Sequence, residues 1–190
     1  MIKRQYRAFW GEMSTFEHFV QVYERESAFL DTLADFLGGG LIKGEGAIAI
    51  LTPPHRAELE TRLKAMNLDL PAMQKDSQLI LLDAKETISK FMVNDWPDEA
   101  AFTKVVTDTL KRAAGNGRRV RAFGEMVALM WAEGQCAATV RLEHLWTELC
   151  KRESLPLFCA YPKVVFTEDQ IDCETRAGWY LRQLQGSANI

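Results

Sequence analysis

The residues of this chain with the right types for chemistry are three acids, Glu24, Asp83 and Glu125, two histidines, His18 and His55, and three hydroxyl-bearing residues, Tyr23, Thr52 and Tyr161. A carboxylate beside an imidazole can hold or move a proton near neutral pH, and a carboxylate alone can accept a hydrogen bond from a ligand. Glu125 is the sharpest candidate, because Gly124-Glu125 follows the β-favouring run RVRAF at 119–123. An acid in the first turn of a helix, favoured by the macrodipole, is the structural alternative. His18 begins another β-favouring run, where a structural hydrogen bond is the simpler role. His55, in a first helical turn after Pro54, reads as a surface residue, and His144 sits inside an amphipathic helix.

Metal chemistry finds no support in the spacing. The histidines form no i, i+4 pair, and Cys136, Cys150, Cys159 and Cys173 contain no CxxC motif. The cysteines read as small buried hydrophobes, with no cofactor expected. Phe123, Met126 and Trp131, together with Trp96, Trp146 and Met130, could line an apolar pocket for a hydrophobic effector. At helical spacing the same residues also make ordinary core. Phosphate chemistry fares no better. Gly39 and Gly44 have the spacing of GxxxxGK[ST], but Glu45-Gly46 stand where Lys and Ser/Thr belong, and this loop precedes a strand instead of leaving one.

The elements that must position these residues alternate. HFVQVY at 18–23 predicts a strand, and 24–37 a helix with Phe29, Leu30, Leu33, Phe36 and Leu37 at helical spacing. Gly38, Gly39 and Gly40 are expected to end that helix with positive φ, in a turn closing at Gly44-Glu45-Gly46. AIAIL at 47–51 reads as a strand covered on both faces. Thr52 is placed to cap the next helix, with Pro53 in its first turn and Leu59, Leu63 and Met66 as its buried stripe. Further strands are expected at 79–82, 119–123 and 156–161. Helices are expected at 84–92, 98–113, 126–132, 137–152 and from Thr167 to about Gln185, with a loop at 94–97.

Strands alternating with long helices predict an α/β fold, a three-layer sandwich with a mostly parallel central sheet. Ligands in such folds bind at the carboxyl ends of strands, which makes Tyr23, Glu24, Thr52, His55, Asp83, Gly124, Glu125 and Tyr161 the positions to watch.

With 190 residues, 47% hydrophobic and 26% charged, the chain is expected to form one domain across 1–190, its core at about 15–185. A net charge of −3 gives no general attraction to nucleic acid or anionic lipid. The basic residues Lys111, Arg112, Arg118, Arg119 and Arg121 read as a solvated helix end, with a local basic patch as the alternative. No apolar run has signal-peptide or membrane-span length, so a cytoplasmic protein is expected.

The segment FLGGGLIKGEGAIAILTPPHRAELETRLKAMNLDL resembles the part of KaiC-like and RecA-like ATPases that follows the phosphate loop. In that register the loop would fall at Glu24-Arg25-Glu26-Ser27, which has no glycine and two carboxylates that repel a triphosphate. The catalytic acid of those enzymes is matched by Thr52-Pro53-Pro54, which cannot act as a base. The resemblance therefore implies a RecA/KaiC-like fold without a functional phosphate loop, and ATP hydrolysis is the weakest reading.

HFVQVYERESAFLDTLADFL, QLILLDAKETISKFMVNDWPDEAAF, RRVRAFGEMVALMWAEG, LEHLWTEL and CAYP together resemble the MEDS domain, the sensory part of DcmR-like regulators, over about residues 15–177. That resemblance implies a non-catalytic signal-input domain. It would sense a small hydrocarbon-like or halogenated molecule and act on a signalling partner such as a histidine kinase or transcription regulator. An interaction module without a small ligand is the alternative.

Overall fold

The computed structural model describes residues 18–115 and 117–165. The helix expected from Thr167 and the cysteine at 173 lie outside the described residues. In chain order the elements are β1 (His18–Tyr23), α1 (Glu26–Ile42), β2 (Gly46–Leu51), α2 (Pro53–Ala65), α3 (Leu70–Lys75), β3 (Leu79–Asp83) and α4 (Ala84–Ser89). There follow a two-stranded antiparallel hairpin, β4 (Met92–Val93) and β5 (Trp96–Pro97), then α5 (Glu99–Ala114), β6 (Val120–Gly124), α6 (Met126–Ala132), α7 (Cys136–Glu153), β7 (Leu157–Pro162) and a 3-10 turn.

Five strands form one parallel sheet in the order β1-β7-β6-β2-β3. All six residues of β2 are buried, as expected of a strand covered on both faces. Its period-2 alternation divides them: Ala47, Ala49 and Leu51 join Leu33, Leu37, Leu59 and Phe158 in a core under α1, α2 and α3. Ile48 and Ile50 face the other way, joining Leu110, Met126, Trp131, Leu142 and Trp146 under α5, α6 and α7. Burying one such large apolar side chain contributes about 1.5–3 kcal/mol, so two opposed cores hold helices on both faces of the sheet. The expected three-layer α/β sandwich is present.

Local rules account for the helix starts. Asp69, Asp83 and Asp98 each accept a hydrogen bond from the backbone N–H three residues on, capping α3, α4 and α5.

Four expectations are corrected. Gly38, Gly39 and Gly40 do not end α1, which continues to Ile42, and positive φ is reached only at Gly44, at 80°. Two of these glycines, Gly38 and Gly40, make room for side chains. A Cβ on Gly38 would lie 2.7 Å from the Met66 sulfur, and one on Gly40 would lie 2.8 Å from Arg121 Nε. Arg121 itself is no part of a solvated helix end: it is buried, donates from Nε to Glu45 Oε2 at 2.5 Å and from a terminal nitrogen to the Phe36 carbonyl at 3.0 Å. Residues 94–97, expected as a loop, contain β5 of the hairpin. Of the cysteines, Cys150 and Cys159 are free and buried, whereas Cys136 is disulfide-bonded. Linear spacing says nothing about which sulfurs a fold brings together, and that is why the uniform reading failed for Cys136.

Candidate functional site

The connection from β2 runs outward to β3 by way of α2 and α3 on one face, while that from β6 runs the opposite way to β7 by way of α6 and α7 on the other. A topological switch point therefore lies between the carboxyl ends of β2 and β6, the place where parallel α/β sheets open a crevice. Glu125 and Thr52 occupy it. The Glu125 N–H donates to the Ile50 carbonyl at 2.9 Å, which fixes the residue after β6 against β2.

The Glu125 carboxylate is almost fully buried and well supplied with donors. Oε2 accepts from the Thr52 N–H at 2.8 Å and from the Thr52 hydroxyl at 3.1 Å. Oε1 lies 2.6 Å from His55 Nδ1, and His55 Nε2 lies 3.2 Å from Glu26 Oε1. The chain Glu125–His55–Glu26 thus runs from the interior to a Glu26 side chain that is 62% exposed. The hydrogen bond to Glu125 raises the His55 pKa, against the lowering effect of burial, and the charges of Glu125 and Glu26 add to the rise.

An aromatic wall stands beside this chain. Tyr23 stacks on Phe29 at 4.6 Å, and Phe29 meets the His55 ring edge-on at 5.5 Å. Burial, and then the charges of Glu125 and Glu26, push the Tyr23 phenol up to about 12. The arrangement can hold a proton on His55 in a fixed orientation beside an apolar surface.

A phosphate site is not built here. Only Glu24 and Arg25 separate β1 from α1, too few to turn successive N–H groups toward a phosphate, and the extended Arg25 makes no side-chain cap.

A second polar cluster lies inside the opposite core. His18 Nε2 is 3.3 Å from Cys159 Sγ and 3.3 Å from Glu143 Oε2, and His18 Nδ1 is 3.2 Å from the Thr147 hydroxyl. The Tyr161 hydroxyl donates to Glu143 Oε1 at 2.5 Å. Burial lowers the His18 pKa to about 4 and raises that of Glu143 to about 7, the latter opposed by the Tyr161 hydrogen bond. His18 is therefore neutral at neutral pH, and its approach to Glu143 is not an ion pair. Burial also raises the Cys159 thiol well above its ordinary range.

The sequence-derived candidates divide between several environments. Tyr23, Thr52, His55 and Glu125 come together at the switch point. His55 is not the surface residue expected, since its side chain is only 13% exposed. Thr52 holds the N-cap position of α2 but donates its hydroxyl to Glu125 instead of capping. His18 and Tyr161 belong to the second cluster. Glu24 is on the surface, paired with Lys163 at 2.6 Å, which lowers its pKa. Asp83 is a helix cap. Phe123, Met126 and Trp131 are fully packed core, and Gly124 is buried against Trp146.

Glu26 and Glu143 were missed. A signal for Glu143 does exist: it is an acid lying in the buried stripe of α7 that includes Thr139, Leu142, Trp146 and Cys150, and an acid there demands a partner. Glu26 carries no comparable signal, because a first-turn acid is ordinary helix chemistry.

Fold and site together define a class, a parallel α/β sandwich with a hydrogen-bonded carboxylate–imidazole pair at its switch point and, among the described residues, no phosphate cradle. Over residues 17–176 the chain matches the family described as MEDS, the MEthanogen/methylotroph, DcmR Sensory domain. It belongs to that family of sensory domains, which is consistent with a role in signal input. No curated protein and no solved structure matches the chain. Among the described residues, no helix is long and apolar enough to cross a membrane.

Proposed function

We propose that this chain is a non-catalytic signal-input domain. It senses a small hydrocarbon-like or halogenated molecule at the carboxyl ends of β2 and β6 and regulates a partner such as a histidine kinase or transcription regulator. The observation that carries this reading is the Glu125–His55–Glu26 chain beside the Tyr23–Phe29 pair, at the switch point of the sheet. An apolar wall with one oriented polar group suits a small molecule that is mostly apolar with a single polar atom. Membership of a sensory family supports the signalling role, and the short, glycine-free β1–α1 connection supports a RecA/KaiC-like fold that has lost its phosphate chemistry.

A thermal-shift screen of short alcohols, halogenated alkanes and nucleotides tests the proposal. A ligand at about 100 times its dissociation constant stabilises by about 2.7 kcal/mol, which for a chain of this size raises Tm by roughly 5–10 °C. The expected result is such a shift for a member of the first two groups, lost in Glu125→Gln. No shift from any of these compounds would end the small-molecule reading.

A docking module without a ligand is favoured by one observation. Val93 and Trp96, paired across the β4–β5 hairpin, are 56% and 47% exposed. Side by side on the hairpin, a Trp and a Val offer a partner one apolar contact with an aromatic anchor. Binding of a partner kinase that is lost in Trp96→Ala, together with a blank ligand screen, would establish it.

A further inference from the structure

The buried cluster of His18, Glu143 and Cys159 stands apart from the switch-point site and is not used by the reading above. Its three donors come from β1, α7 and β7, and Nε2, a Glu143 carboxylate oxygen and Sγ all lie within 4.8 Å of one another. The side chains of His18 and Glu143 are 6% and 2% exposed.

The hydrogen bonds around the cluster fix where its lone pairs point. The Thr147 hydroxyl gives its one proton to the Glu143 carbonyl at 2.9 Å, so toward His18 it can only accept. With the ring hydrogen on Nδ1 toward Thr147, Nε2 presents its lone pair to Cys159 and Glu143. On Glu143, Oε1 takes the Tyr161 hydroxyl, while the buried Oε2 has no hydrogen-bond donor. An imidazole nitrogen, a thiol sulfur and an unsatisfied carboxylate oxygen thus lie close together, the first held by Thr147 and the last belonging to a carboxylate held by Tyr161. A carboxylate oxygen buried without a donor is costly.

We propose that His18, Glu143 and Cys159 bind one divalent transition-metal ion of borderline softness, of the zinc class. The donor set is nitrogen, oxygen and sulfur, the set that suits zinc in preference to calcium or magnesium. Zinc sits about 2.0–2.1 Å from nitrogen or oxygen and about 2.3 Å from sulfur, which puts tetrahedral ligand atoms about 3.3–3.6 Å apart. Both distances from His18 Nε2, at 3.3 Å, meet that spacing. A neutral imidazole, a carboxylate and a thiolate carry two negative charges, so a divalent cation leaves the buried site neutral. On binding, the Cys159 proton and the proton of any protonated Glu143 leave to solvent, and metal–sulfur and metal–oxygen bonds replace the S–H and O–H bonds. Thr147 on His18 and Tyr161 on Glu143 act as the outer partners that hold ligand orientation. Three protein ligands leave one tetrahedral position for a small molecule or water.

No such pattern is visible in the spacing of the three residues along the chain, because each lies on a different element. The test uses the full chain, treated with chelator and titrated with Co²⁺, with Zn²⁺ competition. One cobalt per chain is expected, with a thiolate-to-cobalt charge-transfer band in the near ultraviolet that zinc abolishes. Cys159→Ser is expected to lose the band and Cys150→Ala to keep it. His18→Gln, which retains the thiol, is expected to weaken binding at least tenfold. Absence of cobalt uptake by the wild-type chain, or uptake without the thiolate band, overturns the proposal whether or not any variant folds.

Discussion

Replacing Glu125 by alanine removes the acceptor of three hydrogen bonds at a residue that is 7% exposed. The Thr52 N–H is left without a partner beside the end of β2, and the His55 ring loses the carboxylate at 2.6 Å. A buried donor stranded in this way costs about 1–3 kcal/mol, and loss of one member of a buried charged pair costs about 3–5 kcal/mol in all. The second figure includes the first, so Glu125→Ala is expected to lose about 3–5 kcal/mol, or about 9–15 °C in Tm at roughly 3 °C per kcal/mol. Glu125→Gln keeps a carbonyl for the Thr52 N–H and presents an amide to His55, for a loss of about 1–2 kcal/mol. The dependence on pH has a definite sign. The His55 pKa is raised in the folded chain above its ordinary 6.5, so its contribution is full below that value and fades as pH rises through the folded pKa. Urea unfolding at about pH 6 and about pH 9, followed by tryptophan fluorescence and far-ultraviolet circular dichroism, measures both effects, and the penalty of Glu125→Ala should be larger at the lower pH. A penalty under about 0.5 kcal/mol, or one equal at both values, would refute the reasoning that Glu125 anchors a protonated His55.

Two further predictions follow from the packing. In α1, Gly39 has open space where a Cβ would go, while a Cβ on Gly40 would lie 2.8 Å from Arg121 Nε and 3.0 Å from Glu45 Oε2. Gly39→Ala should therefore stabilise by about 0.5–1 kcal/mol and Gly40→Ala should destabilise by about 1–3 kcal/mol, measured by urea unfolding; equal effects would return both residues to a turn. Tyr161→Phe should cost about 1–3 kcal/mol by stripping the hydroxyl from Glu143 Oε1, with no change in helix content by circular dichroism.

The parts of the fold that could be read along the chain are those whose causes are local. AIAIL announced a strand buried on both faces, because propensity and period act within a few residues. The glycine run misled for the same reason. Positive φ is the local use of glycine, but Gly40 is glycine because Arg121, 81 positions later in sequence, needs the space beside α1. Tertiary proximity leaves no trace in the neighbouring residues.

The same distinction separates the two clusters. Glu125, Thr52 and Tyr23 were found by the rule that strand ends meet ligands, which needs only the strand positions. The inner cluster depends on register. β1 pairs with β7 so that His18 faces Leu157 and Val20 faces Cys159, which puts His18 on the same side of the sheet as Cys159 and Tyr161. A slip of one residue would send His18 into the opposite core, away from all its partners. α7 then has to lie across that face with Glu143 and Thr147, four apart and therefore on one side of the helix, aimed at His18. A strand pairing and a helix orientation have to agree for the three donors to meet. Because a single-residue shift in either would scatter them, measuring cobalt uptake in strand-register variants tests the pairing as directly as it tests the proposed site.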